Sequence, residues 1–228
     1  SSDLSQHGTV VANCPGKNAQ AVAELALGLI LACDRRIPDN VIQHRAGKWN
    51  KKEFSKAQGV FGKTLGIIGV GNISKEVITR AKAFGMEVVA YSRWMTAEEA
   101  NRLDIRSASN LVELAQLSDI VSVHVSLTPD TRGSLNAEFF DAMKPGAIFV
   151  NTSRAEVVDQ SAMIAATRAK GLRLGLDVFD GEPAGGEGAG APPPPDRGPR
   201  FRRRRDGCLR EAGRVSPRPS HLPPAGPV

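Results

Sequence analysis

A glycine-rich turn carries the clearest chemical signal in the sequence. An apolar run over residues 65–68 leads into Gly69 and Gly71, and a helical pattern begins at Asn72 and Ile73. In a strand, turn and helix of this kind, the first glycine permits the tight turn and the second lets a phosphate approach the backbone. The free N–H groups and the dipole of the helix then receive the negative charge. We therefore predict a dinucleotide-binding turn with Gly69, Gly71, Asn72 and Ile73 as cofactor contacts.

The third glycine of this pattern is replaced by Ser74. A serine adds a small side chain where the helix and the strand pack closely, which weakens the match. The strand before the turn and the helix after it favour a binding role over a glycine-rich turn without a ligand.

The end of the second predicted strand bears on the choice of cofactor. About twenty residues after such a turn, an acid normally binds the adenosine ribose, but here the strand over residues 87–91 ends in Ser92 and Arg93. Without a carboxylate there is no repulsion of a ribose 2′-phosphate, and the serine hydroxyl and the guanidinium could bind one. This favours NADP over NAD, although Arg93 stacked on adenine would suit NAD equally well.

These residues require elements that bring strand ends together. Apolar runs alternate with amphipathic segments, a pattern typical of parallel strands joined by crossover helices. We predict strands at 65–69, 87–91, 119–125, 146–150 and 172–176, and helices at 18–34, 72–84, 110–117, 136–143 and 160–170. The predicted fold class is α/β, a doubly wound parallel sheet of the Rossmann type.

The polar segment over residues 38–62 reads as a helix plus an extended arm, with Trp49, Phe54 and Phe61 as isolated apolar anchors. Simple packing on the protein surface and a dimer contact both explain these anchors. If these residues left an apolar patch exposed on the monomer, a second copy of the chain could cover it, which favours a homodimer.

Composition separates the chain into two parts. Residues 184–228 contain nine arginines and four acids, which gives +5 of the net charge of +6 and leaves residues 1–183 close to neutral. This tail, rich in proline, glycine and arginine, is predicted to be disordered. Its residue types share GC-rich codons, which favours an out-of-frame reading or a diverged end over a functional tail or a nucleic-acid site at 202–205.

The remaining composition excludes several classes of protein. The sequence has no apolar run of about 18 residues and no signal peptide at its start. The three cysteines and four histidines lack the spacing of a disulfide framework or a zinc site. We expect a cytoplasmic protein without a metal and without a membrane partner.

Five ordered motifs together resemble the D-2-hydroxyacid dehydrogenase family. The motifs are Asn13-Cys14-Pro15-Gly16, the turn at Gly69, His124-Val125-Ser126-Leu127-Thr128-Pro129, Asn151-Thr152-Ser153-Arg154, and Asp177-Val178-Phe179 with Glu182-Pro183. The resemblance covers residues 7–183. It implies an oxidoreductase that moves a hydride between NAD(P) and a small 2-hydroxy or 2-oxo acid, such as 3-phosphoglycerate, hydroxypyruvate or glyoxylate.

The resemblance also implies roles for individual residues. Arg154 matches the arginine that binds the substrate carboxylate, and Glu182 matches the glutamate that supports a catalytic histidine. Asp177 matches the acid that contacts the nicotinamide carboxamide. The side chains of Val125, Thr152 and Ser153 are expected to line the cofactor pocket.

Two parts of the family pattern are missing from the sequence. The catalytic histidine is expected about twenty residues after Glu182, but residues 200–205 contain none, and His221 lies within the tail. The predicted division is a remnant of the substrate domain at 1–16, with its strand at 8–13, the NAD(P)-binding domain at 17–183 and the tail at 184–228. A non-catalytic dinucleotide-binding module and an inactive truncated product therefore stand beside the dehydrogenase as hypotheses.

Overall fold

A parallel sheet of six strands forms the centre of the computed structural model, which describes residues 16–181. The strands are β1 (Thr64–Ile68), β2 (Glu87–Tyr91), β3 (Arg106–Ser107), β4 (Ile120–Val123), β5 (Ile148–Asn151) and β6 (Arg173–Leu176). Their order is β3-β2-β1-β4-β5-β6. The chain leaves β1 in one direction for β2 and returns on its other side for β4, so the predicted doubly wound Rossmann fold is confirmed.

Helices cover both faces of this sheet. They are α1 (Ala19–Arg35), α2 (Ile37–Arg45), α3 (Lys51–Phe54), α4 (Asn72–Ala83), α5 (Ala97–Leu103), α6 (Leu111–Leu117), α7 (Ala137–Ala142) and α8 (Gln160–Lys170), with a 3₁₀ turn at Ala155–Val157. The α1 and α4 helices share one buried apolar cluster with the sheet. The α6, α7 and α8 helices share a second cluster on the opposite face. Parallel strands need this double cover because neither of their faces meets water.

The packing of α1 depends on a glycine in the sheet. A Cβ atom at Gly175 would lie 3.0 Å from the Leu29 Cβ atom and 3.2 Å from Val150 Cγ2. The absence of that side chain lets α1 lie directly against β6. The apolar spacing of the helix, with Leu29 and Ile30 buried, then completes this face of the core.

The structure adds two elements to the predicted five strands. The α5 helix and the edge strand β3 lie between β2 and α6. The two residues of β3 are exposed, so they offer no alternation of apolar and polar residues for a prediction. The remaining strands and long helices lie where the sequence predicted them.

The arm over residues 38–62 is attached in a way that the sequence did not predict. Trp49 is 78% exposed and Phe61 is 85% exposed, so neither ring is buried in the described structure, and a dimer contact stays a prediction. Trp49 contacts the His44 ring, and Phe54 lies beneath the Arg36 guanidinium. The arm is held instead by buried Val60 and by a hydrogen bond of 3.1 Å from the Gly59 N–H to the Asp34 carboxylate.

Several sequence predictions lie outside the described residues. These are the strand at 8–13, Glu182 and the tail at 184–228. Within residues 16–181, no helix combines the length and the apolar character required to cross a bilayer.

Candidate active site

The glycine turn after β1 is fixed by its neighbours. Gly69 has a φ of +86°, and a Cβ atom there would lie 2.7 Å from Val125 Cγ1 and 2.9 Å from the His124 carbonyl oxygen. The Gly69 N–H donates to the Tyr91 carbonyl oxygen over 2.8 Å. Because the backbone and the packing both exclude a side chain, only glycine fits this position.

The amino end of α4 lacks a side-chain cap. Gly71 is the residue before the helix, no side chain caps it, and the first turn contains no acid. By contrast, each of the four following helices has a side chain that accepts a bond from its first turn, in order Thr96, Asn110, Asn136 and Asp159. A Cβ atom at Gly71 would meet nothing within 4 Å. Within residues 16–181, no hydrogen bond engages the N–H groups of Asn72 and Ile73, and free N–H groups at a helix start suit a phosphate.

Ser74, which weakens the match to the three-glycine pattern, is part of the structure of the turn. Its side chain is buried, and its hydroxyl donates to the Gly69 carbonyl oxygen over 2.6 Å. This bond ties the first turn of α4 to the glycine turn. The serine therefore takes the place of the third glycine without separating the helix from the strand.

Ser92 and Arg93 follow β2 at the same edge of the sheet. The Ser92 carbonyl accepts a bond of 3.0 Å from the Met95 N–H, which closes the turn. The Arg93 guanidinium lies 2.8 Å from the carboxylate of Asp130, which follows β4. Sequence analysis missed Asp130, because no motif indicates an acid that pairs with Arg93 from another loop.

The turn after β5 is organised by one buried amide. Asn151 donates from Nδ2 to the Arg154 carbonyl over 2.9 Å. Its Oδ1 accepts from the Ser153 N–H over 2.9 Å and from the Ser153 hydroxyl over 2.8 Å. The side chain of Asn151 therefore sets the backbone path of residues 152–154. The sequence analysis did not single it out, although its burial at the end of an apolar strand was a signal for such a role.

This turn leaves its chemical groups available. The Arg154 side chain is exposed, and its Nη1 donates to the adjacent Ser153 carbonyl. No ion pair with another residue of 16–181 engages this guanidinium. Thr152 Oγ1 is buried and has no hydrogen-bond partner in the described part of the chain. A buried hydroxyl without a partner is costly, and a bound polar group would satisfy it.

The β6 strand brings Asp177 to the same end of the sheet. The Asp177 N–H donates to the Asn151 carbonyl over 3.0 Å, which places Asp177 beside the turn that carries Arg154. A cavity of about 380 Å³ lies next to these strand ends. It is lined in part by Asn151, Ala155, Val158, Leu176, Val178 and Phe179. Gly71, Thr152, Arg154 and Asp177 do not line it, so this cavity lies beside the candidate site and is not the site itself.

His124 has a structural environment. Its Nε2 lies 2.9 Å from the Ser122 hydroxyl, and burial lowers the pKa of the imidazole to about 4. A histidine that is neutral across the physiological range packs well but exchanges protons poorly near neutral pH. Among residues 16–181, no group of three or more His, Cys, Asp or Glu side chains is arranged to hold a metal ion.

The strand order explains why these groups meet. The glycine turn, Arg93, Val125, Arg154 and Asp177 each follow a different strand at its carboxyl end. In an open parallel sheet, ligands bind in the crevice where the strand order reverses, which here lies between β1 and β4. The described cofactor and substrate candidates therefore share one edge, while Glu182 lies outside the described residues.

Comparisons with known proteins agree with this geometry. The model of the D-isomer specific 2-hydroxyacid dehydrogenase NAD-binding domain matches residues 27–199. The D-3-phosphoglycerate dehydrogenase of Methanocaldococcus jannaschii is 38% identical over 78% of this chain and 34% of its own length. The hydroxypyruvate reductase of Thermotoga maritima is 43% identical over 78% of this chain and 57% of its own length.

A solved structure supports the same relationship. The D-mandelate dehydrogenase of Rhodotorula graminis superposes with a TM-score of 0.70 at 34% identity, over 82% of this chain and 56% of that one. The chain thus spans between about a third and just over half of the length of the proteins it matches. By the match to its NAD-binding domain, the chain belongs to the D-isomer specific 2-hydroxyacid dehydrogenase family of NAD-dependent oxidoreductases.

Proposed function

We propose that this chain is the cofactor-binding part of a dehydrogenase that interconverts a small 2-hydroxy acid and its 2-oxo acid. The observation that carries the proposal is the uncapped amino end of α4 at Gly71, on the sheet edge that also carries the Arg154 guanidinium. The first group suits a pyrophosphate and the second suits a carboxylate. A bound nicotinamide supplies the hydride chemistry.

The cofactor contacts follow the strand ends. The turn at Gly69 and Gly71, with Asn72 and Ile73, receives the pyrophosphate on its N–H groups. Ser92 and Arg93 hold the adenosine ribose, of either NAD or NADP. Val125 lies against the glycine turn, where its side chain would pack on the cofactor.

The nicotinamide end of the site uses the turn after β5. The buried Thr152 hydroxyl lacks a partner in the described part of the chain, so a polar group of the cofactor there would remove an unsatisfied donor. Ser153 lies in the same turn and Asp177 beside it, near the position proposed for the carboxamide.

Arg154 and Glu182 carry the proposed substrate chemistry. The Arg154 guanidinium binds the carboxylate and polarises the adjacent carbonyl, a task that its planar pair of donors performs better than lysine. Glu182 matches the glutamate that would support a histidine exchanging a proton with the substrate oxygen, but residues 200–205 of this sequence contain no such histidine. The names of relatives suggest 3-phosphoglycerate, hydroxypyruvate or glyoxylate as substrates, the last from the glyoxylate reductase of Thermococcus litoralis, which is 38% identical over 79% of this chain and 56% of that protein.

One observation favours a second candidate, a dinucleotide-binding module without turnover. Residues 200–205 contain no histidine at the expected spacing from Glu182. Such a module would bind the cofactor through the same turn and leave Arg154 without a reaction. An inactive product is the limiting case, in which neither turnover nor binding remains.

We also propose a homodimer through the arm at 38–62. The α2 helix contributes no buried residue to the described structure, and Ile42 is 65% exposed. A second copy would cover this surface.

We propose a cytoplasmic location as well. The free buried thiol of Cys33 is consistent with a reducing, cytoplasmic compartment.

Gly71→Asp tests the cofactor site without disturbing the fold. The backbone before α4 is extended and a Cβ atom there has open space, and aspartate is a good residue to cap a helix. We expect unchanged or slightly higher thermal stability, together with loss of NADH binding measured by energy transfer from tryptophan. The uncharged Gly71→Ala is the matched control and should bind more NADH than the aspartate variant.

Turnover separates the two candidates. Reduction of hydroxypyruvate or glyoxylate, followed by the loss of NADH absorbance, identifies the dehydrogenase. Binding without turnover identifies the module. If the folded wild-type chain binds no dinucleotide, the proposed function is wrong.

A further inference from the structure

An ion pair crosses the cofactor edge of the sheet. Arg93 follows β2 and Asp130 lies in the loop after β4, and these strands flank β1 on opposite sides. The 2.8 Å contact between Arg93 Nη1 and Asp130 Oδ2 therefore reaches across the carboxyl end of β1. The glycine turn that begins at Gly69 follows the same end.

Both partners lie on braced loops. The Thr131 hydroxyl donates to the Ser126 carbonyl over 2.7 Å and accepts from the Thr128 N–H over 2.8 Å. These bonds fix the loop in which Asp130 lies. Arg93 lies within the turn closed by the Met95 N–H and the Ser92 carbonyl. The contact therefore joins two fixed segments.

The pair changes what Arg93 offers to a ligand. Within residues 16–181, Asp130 is the only carboxylate that pairs with Arg93. A ribose 2′-phosphate would have to displace or share this partner, and it would bring its own charge close to the carboxylate. The ribose 2′-hydroxyl of NAD is neutral and needs neither change.

We propose that Asp130 is a specificity-determining residue that favours NAD by competing with a ribose 2′-phosphate for Arg93. This inference rests on the cofactor site proposed above. The residues at the end of β2 alone favour NADP. With Asp130 paired to Arg93, the two loops together favour NAD.

The test compares Asp130→Asn with the wild-type chain. Affinities for NADPH and NADH are measured at low ionic strength by energy transfer from tryptophan to the bound nicotinamide. Trp94, 81% exposed beside Arg93, is a donor for this transfer. Because an exposed ion pair is weak, we expect the ratio of NADPH to NADH affinity to rise only severalfold.

A matched control removes the same charge elsewhere. Asp104 is exposed, pairs with Lys82 over 2.8 Å and precedes β3 at the amino ends of the strands. Its φ of 50° is tolerated by asparagine. Asp104→Asn should leave the affinity ratio unchanged, which separates a local contact from a change in net charge.

The double variant Arg93→Gln/Asp130→Asn completes the cycle. If Asp130 acts through Arg93, the double variant should have the same ratio of NADPH to NADH affinity as Arg93→Gln alone. An unchanged or lower ratio in Asp130→Asn, or a rise that persists without Arg93, overturns this inference alone. Failure of the folded wild-type chain to bind either dinucleotide overturns the proposed function and the inference with it.

Discussion

Buried polar side chains set the geometry of this site more than its exposed groups do. Asn151 forms three hydrogen bonds around the turn that presents Arg154. His124 forms one with Ser122 and presents its backbone carbonyl to the glycine turn. Each buried group is satisfied locally, so the turns keep their shape without a ligand. The exception is Thr152, whose unpartnered hydroxyl lies where a ligand is proposed.

Burial of His124 predicts a pH dependence of stability. Its pKa falls from 6.5 to about 4 on folding, so between these values the unfolded chain binds the proton more readily. The stability that the neutral His124 contributes is therefore fully present above pH 6.5 and is lost as the pH falls towards 4. We expect His124 to contribute roughly 1–3 kcal/mol to this loss. Urea unfolding between these pH values measures it.

Glutamine at position 124 provides the comparison. His124→Gln can retain the bond to Ser122 but does not titrate, so the decline in stability should become shallower. His44→Gln is the control, because His44 lies against exposed Trp49 in the arm. Equal slopes in the wild type and His124→Gln would contradict the prediction.

At the scale of elements, the sequence predicted what periodicity determines. Buried strands and long amphipathic helices such as α1 and α4 have a repeating apolar pattern, and their order along the chain implied the shared sheet edge. The short exposed strand β3 has no such pattern. The surface packing of the arm could not be read from the sequence, because an aromatic residue in a polar segment indicates burial only if something covers it. Trp49 meets the His44 ring and is still 78% exposed among residues 16–181.

The packing of α1 on the sheet can be tested with two glycines. Gly175→Ala would place a Cβ atom 3.0 Å from the Leu29 Cβ atom and push the helix away from β6, which we expect to cost about 1–3 kcal/mol. Gly28→Ala, in the same helix, has nothing within 4 Å and should stabilise by about 0.5–1 kcal/mol. Urea unfolding of both variants checks the opposite signs. A loss of stability in Gly28→Ala, or none in Gly175→Ala, would contradict this account of the packing.

At the scale of the whole molecule, contacts between distant loops escape sequence analysis. Arg93 and Asp130 are 37 residues apart, and their contact depends on how β1 separates the strands that carry them. The cofactor edge was predictable because strand topology alone places its residues there. The partner of each charged group was not, since surface pairing leaves no periodic signal.

The exposed arm is expected to determine the oligomeric state, which a charge at Ile42 tests. Ile42→Glu puts a charge into the surface proposed to meet a second copy, where a buried unpaired carboxylate is costly. We expect the dimer to dissociate towards monomer, as measured by sedimentation velocity over a range of concentrations. Thermal stability of the monomer should change little, because α2 contributes no buried residue to the described fold.

Two tryptophans of nearly equal exposure provide the matched comparison. Trp49 lies in the arm and is 78% exposed, whereas Trp94 follows β2 and is 81% exposed. Trp49→Gln should weaken the dimer because it removes apolar area from the contact, and Trp94→Gln should leave it intact. A wild-type chain that is monomeric at all concentrations would contradict the proposed dimer. Equal effects of the two glutamine variants would assign association to general surface hydrophobicity and not to the arm.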